Sequence, residues 1–302
     1  MSATLERPSD IDAAVDVTTI RVTMRYPTNA FELITWDFSP HTLKVQLAFE
    51  YKLLAYSDLE FSIHYISPID DQINTLKANV SSLSVPFLRV QYKNGVDENW
   101  LSDSSKIIKF LDSNYPLQTL CHPEDLSFNN EINMLEDWID ECFGNAYMSL
   151  LFLNDKNFRK ASRKWLEGDK NFIKNIKIKL YRKNKVIQYA SNFPSIKHAL
   201  ENAYKRFDED LLPIICDKLE ASHAKGFKFI LGNEFTAADL AVYSFLRSIL
   251  LLEEANLVSR RSLLLRYMDE IENIPLNGVQ GNVKKGYTRQ KLMLIGESGK
   301  DH

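Results

Sequence analysis

The sequence feature that most constrains the fold is a change of hydrophobic periodicity near residue 116. Before this point, short apolar runs with strand-like alternation are interleaved with helical segments. After it, every strong pattern has the three- and four-residue spacing of an amphipathic helix. Pro116 lies at the change, and a proline prevents a helix from continuing through it. The sequence therefore predicts an α/β domain followed by an all-helical domain, joined by a linker around residues 115–117.

The first domain is predicted to contain a βαβ unit followed by a β-hairpin and a helix. The segments are a strand at 31–36, a helix from 40 to about 53, strands at 59–66 and 85–90, a turn at 94–95 and a helix at 104–113. In the second domain, apolar residues recur at helical spacing over 132–146 and 196–215. We set the boundaries as an N-terminal extension at 1–28, the α/β domain at 29–116, the helical domain at 117–275 and a C-terminal tail at 276–302.

Composition and charge exclude several classes of function. The 302 residues are 45% hydrophobic and 25% charged with a net charge of −3, which does not favour nucleic acid or an anionic membrane as a partner. No apolar run approaches about 18 residues, and the first segment lacks the apolar core of a secretory signal, so we expect a cytoplasmic protein. The three cysteines lie far apart without a CxxC motif, so we expect neither a disulfide nor a metal site.

Ser39 follows the first predicted strand and precedes Pro40. Serine is a favoured helix N-cap and proline suits the first helical position, so capping alone explains the pair. The other interpretation is functional. A helix N-terminus stabilises an anion, and the Ser39 hydroxyl would then donate a hydrogen bond to a substrate anion. The local sequence does not choose between the two.

Two further dipeptides have the same double interpretation. Val85-Pro86 opens a predicted strand, where proline is tolerated and where the peptide bond can be cis. Asp103 and Ser104 start a predicted helix, as capping residues do. Alternatively, the Ser104 hydroxyl and backbone N–H groups bind a carboxylate while Asp103 pairs with an ammonium group, so the ligand would carry both.

Taken in order, these three motifs resemble the N-terminal, thioredoxin-like domain of the glutathione S-transferase superfamily. In that family a Ser, Tyr or Cys ends the first strand, a cis-proline opens the third, and an acidic residue followed by Ser starts the third helix. The resemblance implies that Ser39 contacts the sulfur of glutathione and that the main chain of Val85, before Pro86, pairs with its cysteinyl part. It also implies that Asp103 and Ser104 hold the γ-glutamyl end.

The second domain contains a separate motif. Thr236 and Asp239 have the spacing of a capping box, with Phe235 and Leu240 as its hydrophobic staple. The segment 226–246 resembles the start of the central helix of the family's C-terminal domain, so the implied fold is a thioredoxin-like α/β domain followed by an all-α domain. Two branches of the family are similar: the serine-type, tau-like enzymes and the Fax/metaxin-like branch, some of whose members are adaptors.

The activity that this resemblance implies is conjugation of glutathione, as co-substrate, to a small hydrophobic electrophile. Ser39 would favour the thiolate, which is the actual nucleophile. The candidates for the electrophile pocket are Trp36, His41, Trp138, Cys142 and Tyr147. An isomerase or lyase using the same thiolate, and a non-catalytic adaptor that kept the fold, stay open as alternatives. The resemblance also implies a homodimer and a role in detoxification.

The segment from Lys156 to Lys185 contains twelve Lys or Arg residues and two acidic ones, with aromatic residues among them. Phe172, Ile176 and Leu180 have helical spacing, which favours a solvated amphipathic helix over a nucleic-acid site. We therefore expect an insertion that reshapes the substrate pocket or covers the dimer. Neither nucleic acid nor a membrane is an expected partner.

Overall fold

The computed structural model describes residues 30–57, 59–70, 85–92, 98–166 and 171–274, and every structural statement below concerns them. The predicted N-terminal extension, the C-terminal tail and the turn at 94–95 lie outside the described residues. Within the described part of the chain, no helix has an apolar stretch sufficient to cross a bilayer.

The first domain is built on a four-stranded mixed sheet. Its strands are β1 (Ala30–Thr35), β2 (Glu60–Tyr65), β3 (Phe87–Gln91) and β4 (Glu98–Ser102), in the spatial order β2-β1-β3-β4. β1 is parallel to β2 and antiparallel to β3, and β3 is antiparallel to β4. Helix α1 (Pro40–Lys52) is the crossover that the parallel pair requires. The predicted thioredoxin-like order is confirmed. β3 begins later than predicted, because Pro86 cannot donate to the ladder.

The remaining described elements are helical, as predicted. Helix α2 (Ser104–Asn114) closes the first domain, and the second contains α3 (Leu126–Leu153), α4 (Asp155–Trp165), α5 (Phe172–Ala190), α6 (Ile196–Lys205), α7 (Leu212–Ala224), α8 (Ala237–Ile249), α9 (Asn256–Ser259) and α10 (Ser262–Glu272). A π-helical segment, Arg206–Leu211, joins α6 to α7 where the sequence predicts regular helix. Pro213 in the first turn of α7 cannot donate to the carbonyl four residues back, so the wider turn falls where that bond is missing.

The two domains share one hydrophobic core. Leu43 and Leu47 of α1 belong to the same buried cluster as Leu240 and Phe245 of α8. Every residue of α8 except Arg247 is buried, so this helix lies at the centre of the molecule. The position of α1 relative to the helical domain is therefore fixed by apolar packing.

The capping box at the start of α8 is present as predicted. The backbone N–H of Thr236 donates to Oδ2 of Asp239 at 3.0 Å, which is the reciprocal bond of such a box. Oδ1 of Asp239 accepts from the backbone N–H of Ile230 at 3.0 Å and from the Tyr267 hydroxyl at 2.7 Å. Burial raises the pKa of Asp239, and these hydrogen bonds oppose that shift. The carboxylate thus joins three segments of the helical domain as well as capping α8.

Lys52, the last residue of α1, fixes the linker between the domains. Its ammonium group donates to the carbonyl oxygens of Tyr115, Leu117 and Gln118 at 2.7, 3.1 and 2.9 Å. It also pairs with the Asp112 carboxylate at 2.6 Å, whose other oxygen accepts from two backbone N–H groups further along the linker. A single buried cation therefore determines how the chain leaves the first domain.

Candidate functional site

The strand register brings the three motifs to one edge of the sheet. Ile34 of β1 pairs with Phe87 of β3, and Phe87 pairs with Ser102 of β4. The segment that follows β1, the segment that precedes β3 and the segment that follows β4 therefore lie side by side. The middle segment carries the Val85-Pro86 peptide bond, which is cis, and both of its residues are buried.

Ser39 is the N-cap of α1. Its backbone is extended, and its Oγ accepts a hydrogen bond from the backbone N–H of Thr42 at 3.3 Å. In this bond the hydroxyl acts only as an acceptor, so its own hydrogen is left to donate to a ligand. The residue is partly exposed, which a ligand contact requires. Capping and anion stabilisation are thus compatible roles for this one side chain.

The turn before Ser39 is held in place by the helical domain. Phe38 has a φ of 67°, in the left-handed region that is costly for any residue but glycine. The hydroxyl of Tyr147 donates to the Phe38 carbonyl at 3.0 Å, and Nε1 of Trp165 donates to the Asp37 carbonyl at 2.8 Å. Since both donors are buried, they constrain the conformation that presents Ser39.

The turn between β4 and α2 also has an unusual backbone. Asp103 has a φ of 79°, and its Oδ1 accepts from the backbone N–H groups of Ser105 and Lys106 at 3.0 and 3.2 Å. These bonds cap α2. Asp103 is exposed, and its second carboxylate oxygen takes no part in the cap. Ser104 is buried at the first helical position, where its own backbone N–H has no carbonyl partner within the helix.

A buried ion network that the sequence analysis did not identify lies beside this turn. Nζ of Lys44 contacts Oε1 of Glu136 at 2.9 Å and Oδ2 of Asp140 at 2.6 Å, and neither Lys44 nor Glu136 is more than 1% exposed. The Ser105 hydroxyl donates to the same Glu136 oxygen at 2.8 Å, and Nδ1 of His41 lies 3.4 Å from Oδ1 of Asp140. The network therefore connects α1, the α2 turn and α3.

The opposite charges of this network stabilise one another, and this shifts the pKa values of Lys44 and Asp140. Burial alone would lower the pKa of Lys44, but Glu136 and Asp140 raise it above its ordinary value. Burial would raise the pKa of Asp140, whereas Lys44 and His41 lower it to about 2. One feature of the sequence could have indicated this network. Glu136 and Asp140 are four residues apart, so their like charges lie on one helical face, and a cation between them would be stabilising.

The five residues predicted for the electrophile pocket differ in their exposure to solvent. Trp36 and His41 are partly exposed and lie within three residues of Ser39 along the chain. Trp138 and Cys142 are partly buried on α3 and pack against the hydrophobic core. Tyr147 is fully buried, and its hydroxyl binds the turn before Ser39, so in this conformation it has no surface for a ligand.

The described part of the chain also contains side chains of the types that bind metal ions, and three cysteine thiols. No group of three or more His, Cys, Asp or Glu side chains there has the geometry to hold a metal ion. Cys121, Cys142 and Cys216 are free thiols, and burial raises the pKa of the first and the last. The groups that meet at the sheet edge are a hydroxyl, a carboxylate and backbone dipoles.

Two family models match the sequence. Residues 33–119 match the model of the glutathione S-transferase N-terminal domain, and residues 177–276 match that of the glutathione S-transferase C-terminal domain. The chain belongs to the glutathione S-transferase superfamily. No protein of curated function has a significantly similar sequence.

Several solved structures have the same fold. Glutathione transferase F7 from Populus trichocarpa is 14% identical, with a TM-score of 0.56 over 88% of this chain and 99% of that chain. A glutathione S-transferase from Rhodospirillum rubrum is 13% identical, with a TM-score of 0.56 and the same coverage. Glutathione transferase YghU from Streptococcus pneumoniae, complexed with glutathione, is 16% identical, with a TM-score of 0.55 over 85% and 84%. At these identities the similarity establishes the fold.

Proposed function

We propose that the protein is a glutathione-dependent transferase of the serine type, in which Ser39 stabilises the thiolate of glutathione. The observation that carries the proposal is the convergence of three motifs at one sheet edge. These are a serine hydroxyl at the N-terminus of α1, the cis Val85-Pro86 pair, and the Asp103-Ser104 turn at the N-terminus of α2. The similar structure from Streptococcus pneumoniae, which contains glutathione, supports the choice of ligand.

Glutathione has a group for each of these motifs. The main chain of Val85 pairs with the cysteinyl unit, because it lies just outside the β-ladder that begins at Phe87. The γ-glutamyl carboxylate binds the hydroxyl and the backbone N–H of Ser104 at the start of α2, where the helix dipole favours an anion. The γ-glutamyl ammonium pairs with the Asp103 oxygen that does not cap the helix.

The reaction requires the thiol to lose its proton near neutral pH. A free cysteine thiol has a pKa of about 8.5, so little of it is ionised there. A hydrogen bond from the Ser39 hydroxyl, together with the positive end of α1, favours the charged form. The thiolate then attacks an electrophilic carbon, so that a C–S bond forms and the leaving group departs with its bonding pair.

The finer parts of the proposal concern the second substrate and the assembly. A small hydrophobic electrophile would bind next to Ser39, where Trp36 and His41 offer apolar and aromatic surface at the domain boundary. Family membership supports a cytoplasmic homodimer as the working form. The Lys44 network positions the Ser105 backbone, and through it the carboxylate-binding turn.

The test is a glutathione titration by calorimetry, combined with ultraviolet difference spectra of the bound thiolate over a range of pH. Wild type is expected to bind saturably and to show a thiolate band near neutral pH. Ser39→Ala should lose that band and keep its glutathione affinity within about tenfold, since one hydrogen bond contributes about 1 kcal/mol. Ser39→Thr, which retains a hydroxyl, should retain the band.

A matched control separates the catalytic from the capping role of Ser39. Ser195 caps α6 with the same bond, from the backbone N–H of His198 to Oγ at 3.3 Å, and its Oγ also lies 2.8 Å from Nδ1 of His198. Ser195→Ala should therefore cost similar stability without changing the thiolate spectrum. Absence of saturable binding at millimolar glutathione would contradict the proposal, leave Ser39 as a helix cap and favour a non-catalytic adaptor.

A further inference from the structure

Helix α5 presents an unusual surface to solvent. Ile178 is the one buried residue of this helix. Five large apolar side chains on it are between 43% and 76% exposed, namely Phe172, Ile173, Ile176, Leu180 and Ile187. Exposed apolar side chains scattered singly are ordinary on protein surfaces, but a contiguous set of this size marks an interaction site.

The five exposed side chains form one stripe. At about 100° of rotation per residue, all five project within a sector of about 100° of the helix circumference. Ile178 points roughly opposite, toward the protein body. We call the exposed sector the α5 stripe.

The helix is firmly attached on its other side. The Tyr181 and Tyr189 rings lie 5.7 and 6.2 Å from the Phe152 ring. Nε of Arg182 donates to the Phe152 carbonyl at 3.1 Å, and its guanidinium group pairs with Asp155. The α5 stripe is therefore displayed by a formed and anchored helix, and binding needs no folding step.

Positive charge surrounds the stripe. Between Phe172 and Ala190 there are six Lys or Arg residues and no Asp or Glu. By the same rotation, Lys183 falls inside the sector, while Lys177 and Lys179 border it on opposite sides. Next to the stripe, a groove of about 990 Å³ between α4 and α5 adds the cations Arg159 and Arg163.

We propose that the α5 stripe docks onto an anionic lipid surface, with α5 lying in the plane of the interface. Lipid headgroups supply negative charge for the lysines, and the acyl boundary takes up the apolar side chains, as in other interfacial amphipathic helices. A second copy of the chain fits poorly, because it would bring two sets of cations together. An acidic protein would need a groove matched to a convex helix, whereas a lipid surface conforms to it.

This inference is independent of the proposed glutathione chemistry, because none of its residues belongs to the Ser39 site. It also revises the expectation that composition set. The net charge of −3 is a sum over the whole chain, whereas α5 alone carries six Lys or Arg residues and no acidic one.

The test is cosedimentation of the full chain with vesicles of phosphatidylcholine alone and with an equal mixture of phosphatidylcholine and phosphatidylserine. We expect binding to the mixed vesicles that is reversed by high salt, and little binding to phosphatidylcholine. The double variant Ile176→Asp, Leu180→Asp should reduce partitioning at least about tenfold. Ile214→Asp is the matched control, because Ile214 is a 40% exposed isoleucine on α7.

A second pair of variants tests the charge contribution without touching apolar packing. Lys179→Ala with Lys183→Ala should lower partitioning about 25-fold, or about fivefold for each charge. Lys218→Ala, an exposed lysine on α7, should have no such effect. Far-ultraviolet circular dichroism checks that each variant is folded.

Two outcomes would overturn the proposal. The first is no binding to either vesicle, and the second is binding that both sets of α5 variants leave unchanged. In the first case, binding to polyglutamate and self-association are measured for wild type and for the stripe variants. Polyglutamate binding would indicate an acidic protein partner, and self-association an interface between copies.

Discussion

Helix α1 carries two lysines that are equally buried and yet differ in their surroundings. Lys44 faces the carboxylates of Glu136 and Asp140 on α3, and they raise its pKa in spite of burial. Lys52 is held mainly by neutral carbonyl groups of the linker, with Asp112 as its one paired carboxylate. Burial lowers the pKa of Lys52, and Asp112 offsets only part of that shift.

The difference shows two ways of compensating a buried cation, with different consequences for function. Lys44 is bonded to the group that fixes Ser105, so it connects the helical domain to the carboxylate-binding turn. Lys52 fixes the linker at the other end of α1, about 20 Å from Ser39 along the helix axis. Disturbing Lys44 should therefore affect both stability and the site, whereas disturbing Lys52 should affect stability alone.

The largest effect is expected from Lys44→Met. This change leaves two carboxylates near each other in a buried site without their cation, and such a loss costs about 4 kcal/mol. Denaturant unfolding measures the cost. Glutathione affinity should fall as well, because the Ser105 turn loses its support.

A compensating substitution sharpens this prediction. Replacing a buried ion pair by apolar residues of similar volume is often neutral, so Lys44→Met with Glu136→Met should recover part of the stability. Failure to recover any of it would show that shape rather than charge holds this interface.

Lys52→Met should destabilise by about 3 kcal/mol, the lower end of the cost of removing one partner of a buried ion pair. This cost is smaller than that of Lys44→Met because the Asp112 carboxylate is still stabilised after the substitution. Its second oxygen keeps its hydrogen bonds from two backbone N–H groups. Limited proteolysis should show faster cleavage at residues 115–121, with glutathione affinity unchanged. A loss of affinity equal to that of Lys44→Met would end the distinction between the two lysines.

Acid should remove the stability that Asp140 contributes. The pKa of its carboxyl is about 2 in the folded protein, against an ordinary value of 3.8. A lowered folded pKa gives stability that is present above pH 3.8 and is lost as the pH falls toward 2, and the shift corresponds to about 2 kcal/mol. Asp140→Asn should flatten the pH dependence of unfolding in this range, and an unchanged acid transition would contradict the assignment.

The features that the sequence predicted are those encoded locally. Ser39-Pro40 and Asp103-Ser104 are helix starts, and each is recognisable from neighbouring residues. The domain order followed from periodicity in the same way. Tyr147 was placed in a pocket because an aromatic residue in a helical stripe looks the same whether it faces the core or a cavity.

The features that were missed depend on long-range contacts. Lys44 and Glu136 are 92 residues apart, and Asp37 and Trp165 are 128 apart. A pattern within one segment carries no information about which distant side chain will lie opposite. The contacts that hold the turn before Ser39 could therefore be found only in the structure. The position of Ser39 at the end of a strand could be predicted from the sequence.

The smallest effect is expected at the start of α1 itself. Ser39→Ala should reduce the free energy of unfolding by about 1 kcal/mol, as the loss of an N-cap does, and Ser195→Ala by a similar amount. Thermal unfolding of both variants measures this. A much larger loss at Ser39 would mean that its hydroxyl supports the strained Phe38 turn as well as the cap. An equal loss would show that the Ser39 hydroxyl contributes no more to stability than the Ser195 hydroxyl does. A difference between the two variants in thiolate formation would then come from the contact of Ser39 with the ligand, and not from a loss of stability.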